Sequence, residues 1–267
     1  VLPKPEGCRV CPLSNDVQGF VPDELVAGAA TFILAQNPGA DEEREGRPFV
    51  GETGQAMERT YLPLAGLERG KVSIGNVLRC RASHKNDLPS PAILGASVEH
   101  CTRAHFRLPV STQLVVAQGH LAWELATGQL TADGRSKGVP LKVTDWRGFL
   151  APTSTYAKET GGGSMLTVLP RHGIEPIMSN LGGSEQMPKC VPLPLVYGVL
   201  HLSDRNRDNQ QVFAARKDWS KIPSILAGTW PQTIPTRVLL TEDSQWSEVE
   251  SWFHNVRQTN SPIYLDT

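Results

Sequence analysis

The sequence predicts an α/β fold, a three-layer α/β/α sandwich with a central, mostly parallel four-stranded sheet. Three observations predict it. Four short, mainly apolar runs, at 30–35, 71–78, 113–117 and 195–200, have the length and composition of buried strands. Segments with helical spacing separate them, and strands alternating with helices build parallel sheets covered on both faces. Asn37, Phe49, Asn76 and His201 follow or end three of these runs, so the alternation gathers them at one sheet edge. Ligands of open α/β sheets bind outside the carboxyl ends of the strands.

The totals bound the function. A chain of 267 residues suffices for one large domain or two modest ones. A formal charge of −1 gives no overall basic signature for nucleic acid. A local basic groove stays open, because 26 Lys and Arg can cluster. No apolar run reaches transmembrane length and no signal peptide opens the chain, so no membrane partner is expected. The first residue is Val1 rather than Met, and the chain reads as a processed or excised piece. The five cysteines are an odd number in a long chain, which argues against a secreted disulfide framework.

Residues 1–20 carry few apolar anchors and read as an arm that needs a metal to hold it. Cys8 and Cys11 form a C-x-x-C, the spacing that lets two thiolates bind one metal centre; a redox pair or two unrelated thiols are the bland alternatives. With Cys80 and Cys101, four thiolates suit tetrahedral zinc or an iron–sulfur cluster, and composition does not separate the two.

The first strand, 30–35, runs into Gln36-Asn37-Pro38-Gly39. Pro38 pushes Asn37 away from the helical region, and Pro38 and Gly39 turn the chain sharply. An amide is thus presented at the strand end. Glu42 and Glu43 follow as helix N-terminal dipole support, and then Gly46-Arg47-Pro48-Phe49-Val50-Gly51 forms a second turn with an aromatic ring.

Residues 51–64 read as a helix with Gly54, Met57 and Tyr61 on one face. The strand 71–78 carries Asn76 near its end, a second amide that turns also favour. Residues 81–91 form a polar loop with Arg81, His84 and Lys85, a solvated surface or a phosphate contact. A helix over 91–108 contains Cys101; the third strand, 113–117, is followed by a helix from Gly119 to Leu125 that ends at Gly128. A β segment is expected over 139–150, and the Gly- and Pro-rich stretch 151–194 as an insertion or lid. Cys190 within it reads as a free thiol. The fourth strand, 195–200, ends at His201-Leu202-Ser203, and an amphipathic helix follows over 206–222.

These motifs, in this order, resemble the uracil-DNA glycosylase superfamily, most closely its iron–sulfur family 4. That family's first motif reads G-E-[AG]-P-G, then acidic residues, then G-x-P-F-V-G; here stand Ala35-Gln36-Asn37-Pro38-Gly39, Glu42-Glu43 and Gly46 to Gly51. Its N-[VA]-[VL]-[KR]-C-R stretch is Asn76-Val77-Leu78-Arg79-Cys80-Arg81. Its H-P-S is His201-Leu202-Ser203, with Asp218-Trp219 ending the next helix at the family's spacing. The resemblance covers about residues 8–222. It implies a glycosylase domain over 1–222, interrupted at about 151–194, that excises uracil from DNA. It implies a 4Fe–4S cluster on Cys8, Cys11, Cys80 and Cys101, with zinc as the alternative, and an intracellular, reducing setting.

The family roles map onto Asn37 orienting the attacking water and His201 supporting the leaving uracilate. Phe49 stacks on the flipped base, Asn76 reads its edge, and Gln36, Pro38, Gly39 and Ser203 complete the substrate contacts. Three positions depart from the family-4 pattern. Gln36 replaces its glutamate, Asn37 takes the small residue's place as in the mismatch-specific and single-strand-selective branches, and Leu202 replaces the motif proline. His172 rivals His201 for the motif histidine; the helix at family spacing follows only His201. These departures keep a second reading open, a uracil-sensing or structural module that binds DNA without cleaving it. Residues 223–267 read as a linker and the start of an exonuclease-like domain, because Pro262-Ile263-Tyr264-Leu265-Asp266-Thr267 resembles the first strand of a proofreading exonuclease. That expectation makes the chain the N-terminal piece of a family A-like DNA polymerase, with a phage source among the readings.

Overall fold

The structure is a computed structural model that describes residues 1–14, 19–83, 87–127, 143, 147–148, 150–151, 156–160, 165–169, 190–192, 195–202 and 209–229. The chain divides into a unit Val1–Pro231 and a unit Gln232–Thr267. Everything described belongs to the first; the exonuclease-like expectation for 223–267 falls almost wholly outside.

Four parallel strands form the centre: β1 (Thr31–Ala35), β2 (Val72–Asn76), β4 (Leu114–Gln118) and β9 (Leu195–Val199), in the order β2-β1-β4-β9. Thr31 pairs with Val72 on one side and Leu114 on the other, and Leu114 pairs with Leu195. A short fifth strand, β5 (Leu150–Ala151), joins β9 antiparallel at the edge. The chain starts at β1, steps to one side for β2, and returns past β1 to β4, so the strand order reverses between β1 and β4. That reversal opens the crevice at the carboxyl end of β1 where such sheets take ligands.

Side chains alternate across each strand, and the two cores follow the alternation. Phe32, Leu34, Val115, Ala117 and Val196 face a core with Val98 and Cys101 of α4 (Pro91–His105) and Trp123 of α5 (His120–Ala126). Ile33, Ala35, Val116, Tyr197 and Val199 face the other core. There they meet Met57, Tyr61 and Leu62 of the helical run 52–64, Trp219 of α6 (Asn209–Trp219) and Ile222 of α7 (Ile222–Leu226). Helices thus cover both faces, as the alternation of apolar runs predicted.

The run 52–64 is one helix with a defect. It is α-helical at α2 (Glu52–Ala56) and α3 (Leu62–Leu64) and makes a π turn between them over Met57–Tyr61. Gly54, Met57 and Tyr61 are all buried, as their spacing implied.

Several boundaries differ from the sequence reading. The strand expected to Leu78 ends at Asn76, and Arg79 turns the chain by donating back to the Asn76 carbonyl. The helix expected to Leu108 ends at His105, because Leu108 is claimed by a short strand, β3 (Arg107–Pro109). The expected helix over 206–222 is two: α6 stops at Trp219, and Pro223 opens the next one near its start. Among the described residues of the β segment expected over 139–150, Val143 is helical, Arg147 and Gly148 form a turn, and Leu150 enters a strand. The insertion is not structureless: β6 (Tyr156–Thr160), β7 (Met165–Leu169) and β8 (Cys190–Pro192) form an antiparallel sheet with β3, in the order β3-β7-β6-β8. His84, Lys85, His172 and Ser203 lie outside the described residues.

Candidate active site

A cavity of about 290 Å³ opens at the carboxyl end of β1. Gln36, Asn37, Phe49, Asn76, His201 and Leu202 all help to line it. Pro38 and Gly39 complete the lining from the first turn. The strands deliver these residues: Asn37 stands two residues past the end of β1, Asn76 is the last residue of β2 and pairs with Ala35, and His201 stands two residues past β9. Seven of the eight predicted catalytic and substrate residues therefore share one wall; the eighth, Ser203, is outside the described set.

The amides at the mouth are oriented. Gln36 Nε2 donates to Asn37 Oδ1 at 3.0 Å, and Asn37 Nδ2 donates to the Pro38 carbonyl at 2.9 Å. Asn76 is buried at the cavity floor. His201 rests on Gly119, whose φ of +82° suits glycine. A Cβ there would lie 3.3 Å from the His201 Cβ, so a side chain at 119 would crowd the ring.

Phe49 is held in an uncommon conformation. It is the one described residue other than glycine with positive φ, at +54°, which costs about 1–2 kcal/mol for an L-residue. Glu42 braces the chain after it: Oε1 accepts from the Val50 and Gly51 N–H groups at 3.0 and 2.8 Å, while Oε2 accepts from Gly39 N–H at 2.9 Å. One nearly buried carboxylate thus ties the Asn-Pro-Gly turn to the Phe49 turn, a larger task than the dipole support expected of it. Its position three residues after the Gly39 cap is the spacing of a capping box, the sequence signal for this role. Glu43 accepts from Gly19 N–H at 2.9 Å and pairs with Arg81. Asp41, Glu52 and Thr53 also line the cavity and were not foreseen.

The motif departure at Leu202 has a packing reason. Leu202 is fully buried in the core that holds Val199 and Trp219. Asp218 and Trp219 are likewise structural: Arg147 pairs with Asp218 at 2.8 Å, and the Trp219 ring tilts against Tyr61 with centroids 5.7 Å apart.

The four predicted thiol ligands interact pairwise: Cys101 with Cys11, Cys11 with Cys8, and Cys80 with Cys8 and Cys11. Cys8, Cys11, Cys80 and Cys101 are buried and free. The Cys101 thiol donates to Cys11 and pulls Cys11 down to about 5, while that bond and burial push Cys101 up. Burial raises Cys80 to about 11, with Cys8 and Cys11 near enough to add to the shift. Cys8 Sγ also stands 3.1 Å from His105 Nε2. Burial and the charges of Arg79, His100 and Arg107 hold His105 down to about 4. Four buried thiols drawn from an arm, a turn and a helix supply the donor type of a thiolate-held metal group. Cys8, His100 and His105 are a second set of donors within 4.8 Å of one another.

Known proteins agree with this geometry. A sequence profile of the uracil DNA glycosylase superfamily matches residues 22–219. A type-4 uracil-DNA glycosylase of Archaeoglobus fulgidus is 31% identical over 145 residues, which is 52% of this chain and 70% of that protein. One from Thermotoga maritima is 29% identical over 146 residues, 53% of this chain and 70% of its own length. One from Sulfurisphaera tokodaii is 34% identical over 90 residues, 34% of this chain; the chain spans only 41% of that relative's length. The sheet order, the motifs lining one cavity and these matches converge, and the chain belongs to the uracil-DNA glycosylase superfamily, within its type-4 branch.

Proposed function

We propose that this chain excises uracil from DNA by hydrolysing the N-glycosidic bond. The observation that carries the reading is the shared lining of one cavity by Asn37, Phe49, Asn76 and His201. A uracil inside a duplex cannot reach such a cavity, so the base must leave the stack. Phe49 then offers a ring face for the pyrimidine. The Asn76 amide offers one donor and one acceptor, which matches uracil's edge and mismatches cytosine, whose donor and acceptor are exchanged. As the C1′–N1 bond breaks, its electrons stay on uracil. His201 donates to the carbonyl oxygen where that charge collects. Water adds to C1′, held by Asn37; its extra proton is lost to solvent, and uracil leaves an abasic site. A neutral amide orients water better than it deprotonates it, so the stabilised leaving anion carries most of the rate.

The thiols support a 4Fe–4S cluster on Cys8, Cys11, Cys80 and Cys101, with a single zinc ion as the alternative. Such a group would supply a structural tie rather than chemistry at the base: Cys8 and Cys11 would hold the arm to it, Cys80 the turn after Asn76, and Cys101 α4. Its burial in reduced thiols suits an intracellular protein.

The test is incubation with uracil-containing oligonucleotide, single-stranded and duplex, followed by alkali cleavage of abasic sites. Excision that is lost in His201→Ala and Asn37→Ala supports the reading. Gln36, an amide where the family carries a glutamate, favours a second reading, a uracil-sensing module within a longer replication protein. Uracil-dependent binding without cleavage supports that one instead.

A further inference from the structure

The second donor set, Cys8 with His100 and His105, poses a choice. Two ligands of one tetrahedral zinc ion, one sulfur and one nitrogen, stand about 3.5 Å apart given the usual bond lengths. Cys8 Sγ and His105 Nε2 are 3.1 Å apart, shorter than that and within reach of an N–H···S hydrogen bond.

We infer that His105 is a positioning residue for the metal group, donating from Nε2–H to the Cys8 sulfur and tuning the cluster that Cys8 helps to hold. The inference rests on the cluster reading above. Three observations support it. His105 lies four residues after Cys101 on α4, so one helix face supplies both a ligand and the donor to another ligand. The ring is fixed by an edge-on contact with Phe20, centroids 4.9 Å apart, and a second with His100 at 6.1 Å. And Cys8 sits on a short 3-10 turn of the arm, so a side-chain bond to its sulfur ties that arm to α4. Hydrogen bonds to ligand sulfur draw electron density from the iron and raise the cluster's reduction potential. His105 sets that potential here while making no bond to iron.

The experiment uses purified, iron-loaded protein. Protein-film voltammetry gives the midpoint potential, and resonance Raman gives the terminal Fe–S(Cys) stretches, for wild type, His105→Gln and His105→Phe. The expected order of potential is wild type highest, His105→Phe lowest, and His105→Gln between, because its amide retains a donor. The Fe–S stretch rises in His105→Phe as the sulfur loses its hydrogen bond. A folded His105→Phe protein with the wild-type potential and stretches overturns the inference while leaving the cluster reading intact. Colourless, iron-free wild-type protein overturns the cluster reading, and the inference with it.

Discussion

Arg69 Nη1 donates to the carbonyl oxygen of Phe49 at 2.8 Å, from 20 residues away along the chain. The same guanidinium reaches the Pro48 carbonyl, Glu24 and Glu58. With Glu42 on the N–H groups that follow, Phe49 is clamped on both sides of its left-handed backbone. The ring proposed to meet the base is therefore set by two charges that never touch it.

Arg69→Met removes that clamp. Hydrogen bonds to a charged group are worth about 1.5–3 kcal/mol, so kcat/KM for uracil excision falls about 10- to 100-fold. Gly54→Ala acts on the same carbonyl from the other side: its Cβ would lie 1.9 Å from the Phe49 oxygen. Phe49 must move, and steady-state kinetics show the loss with the far-UV spectrum retained.

Gln36, expected among the substrate contacts, holds Asn37 through the 3.0 Å amide contact. Asn37→Ala lowers kcat by about 100-fold, and Gln36→Ala by about tenfold as Asn37 keeps only its bond to the Pro38 carbonyl; both magnitudes are those of lost orienting contacts. The double variant is no worse than Asn37→Ala alone. Additive losses in this cycle sink the idea that Gln36 works through Asn37.

Leu202 is fully buried, so its departure from the family's proline is a matter of packing. Leu202→Ala costs about 2–5 kcal/mol of stability, read as a lower urea midpoint with unchanged slope. A midpoint within error of wild type would remove the packing explanation.

Glu24 gives the protein an acid limit. Burial opposes its ionisation, but hydrogen bonds from Arg69 and Arg47 outweigh that and hold the carboxyl down to about 2. In the unfolded chain it titrates near 4.3, as a free glutamate does, about two units higher. Its contribution is therefore complete above that value and disappears as pH falls from about 4.3 to 2. Glu24→Gln flattens this part of the stability–pH curve, measured by denaturant titration at each pH.

Much of the site was legible because strand ends carry it. Asn37, Asn76 and His201 each sit at or just past the end of a short apolar run, and parallel strands bring such ends to one edge. Cys8 and Cys11 stood out by their C-x-x-C spacing, while Cys80 and Cys101 entered through the family resemblance. The braces were not legible: Arg69 and Glu24 are far apart in sequence and neither belongs to a motif, so only the folded chain brings them to Phe49. The strands within the insertion were not legible for a similar reason: β7 pairs with β3, a segment that the sequence had assigned in part to a helix.

The π turn at Met57–Tyr61 makes the length of one helix a structural constraint in its own right. A π turn holds one more residue than a regular turn, and each residue of a helix advances its face by about 100°. Upstream of it Gly54 must face Phe49, and downstream Tyr61 must face Trp219. A variant that lost a single residue there would gain a smoother helix and keep only one of those two contacts.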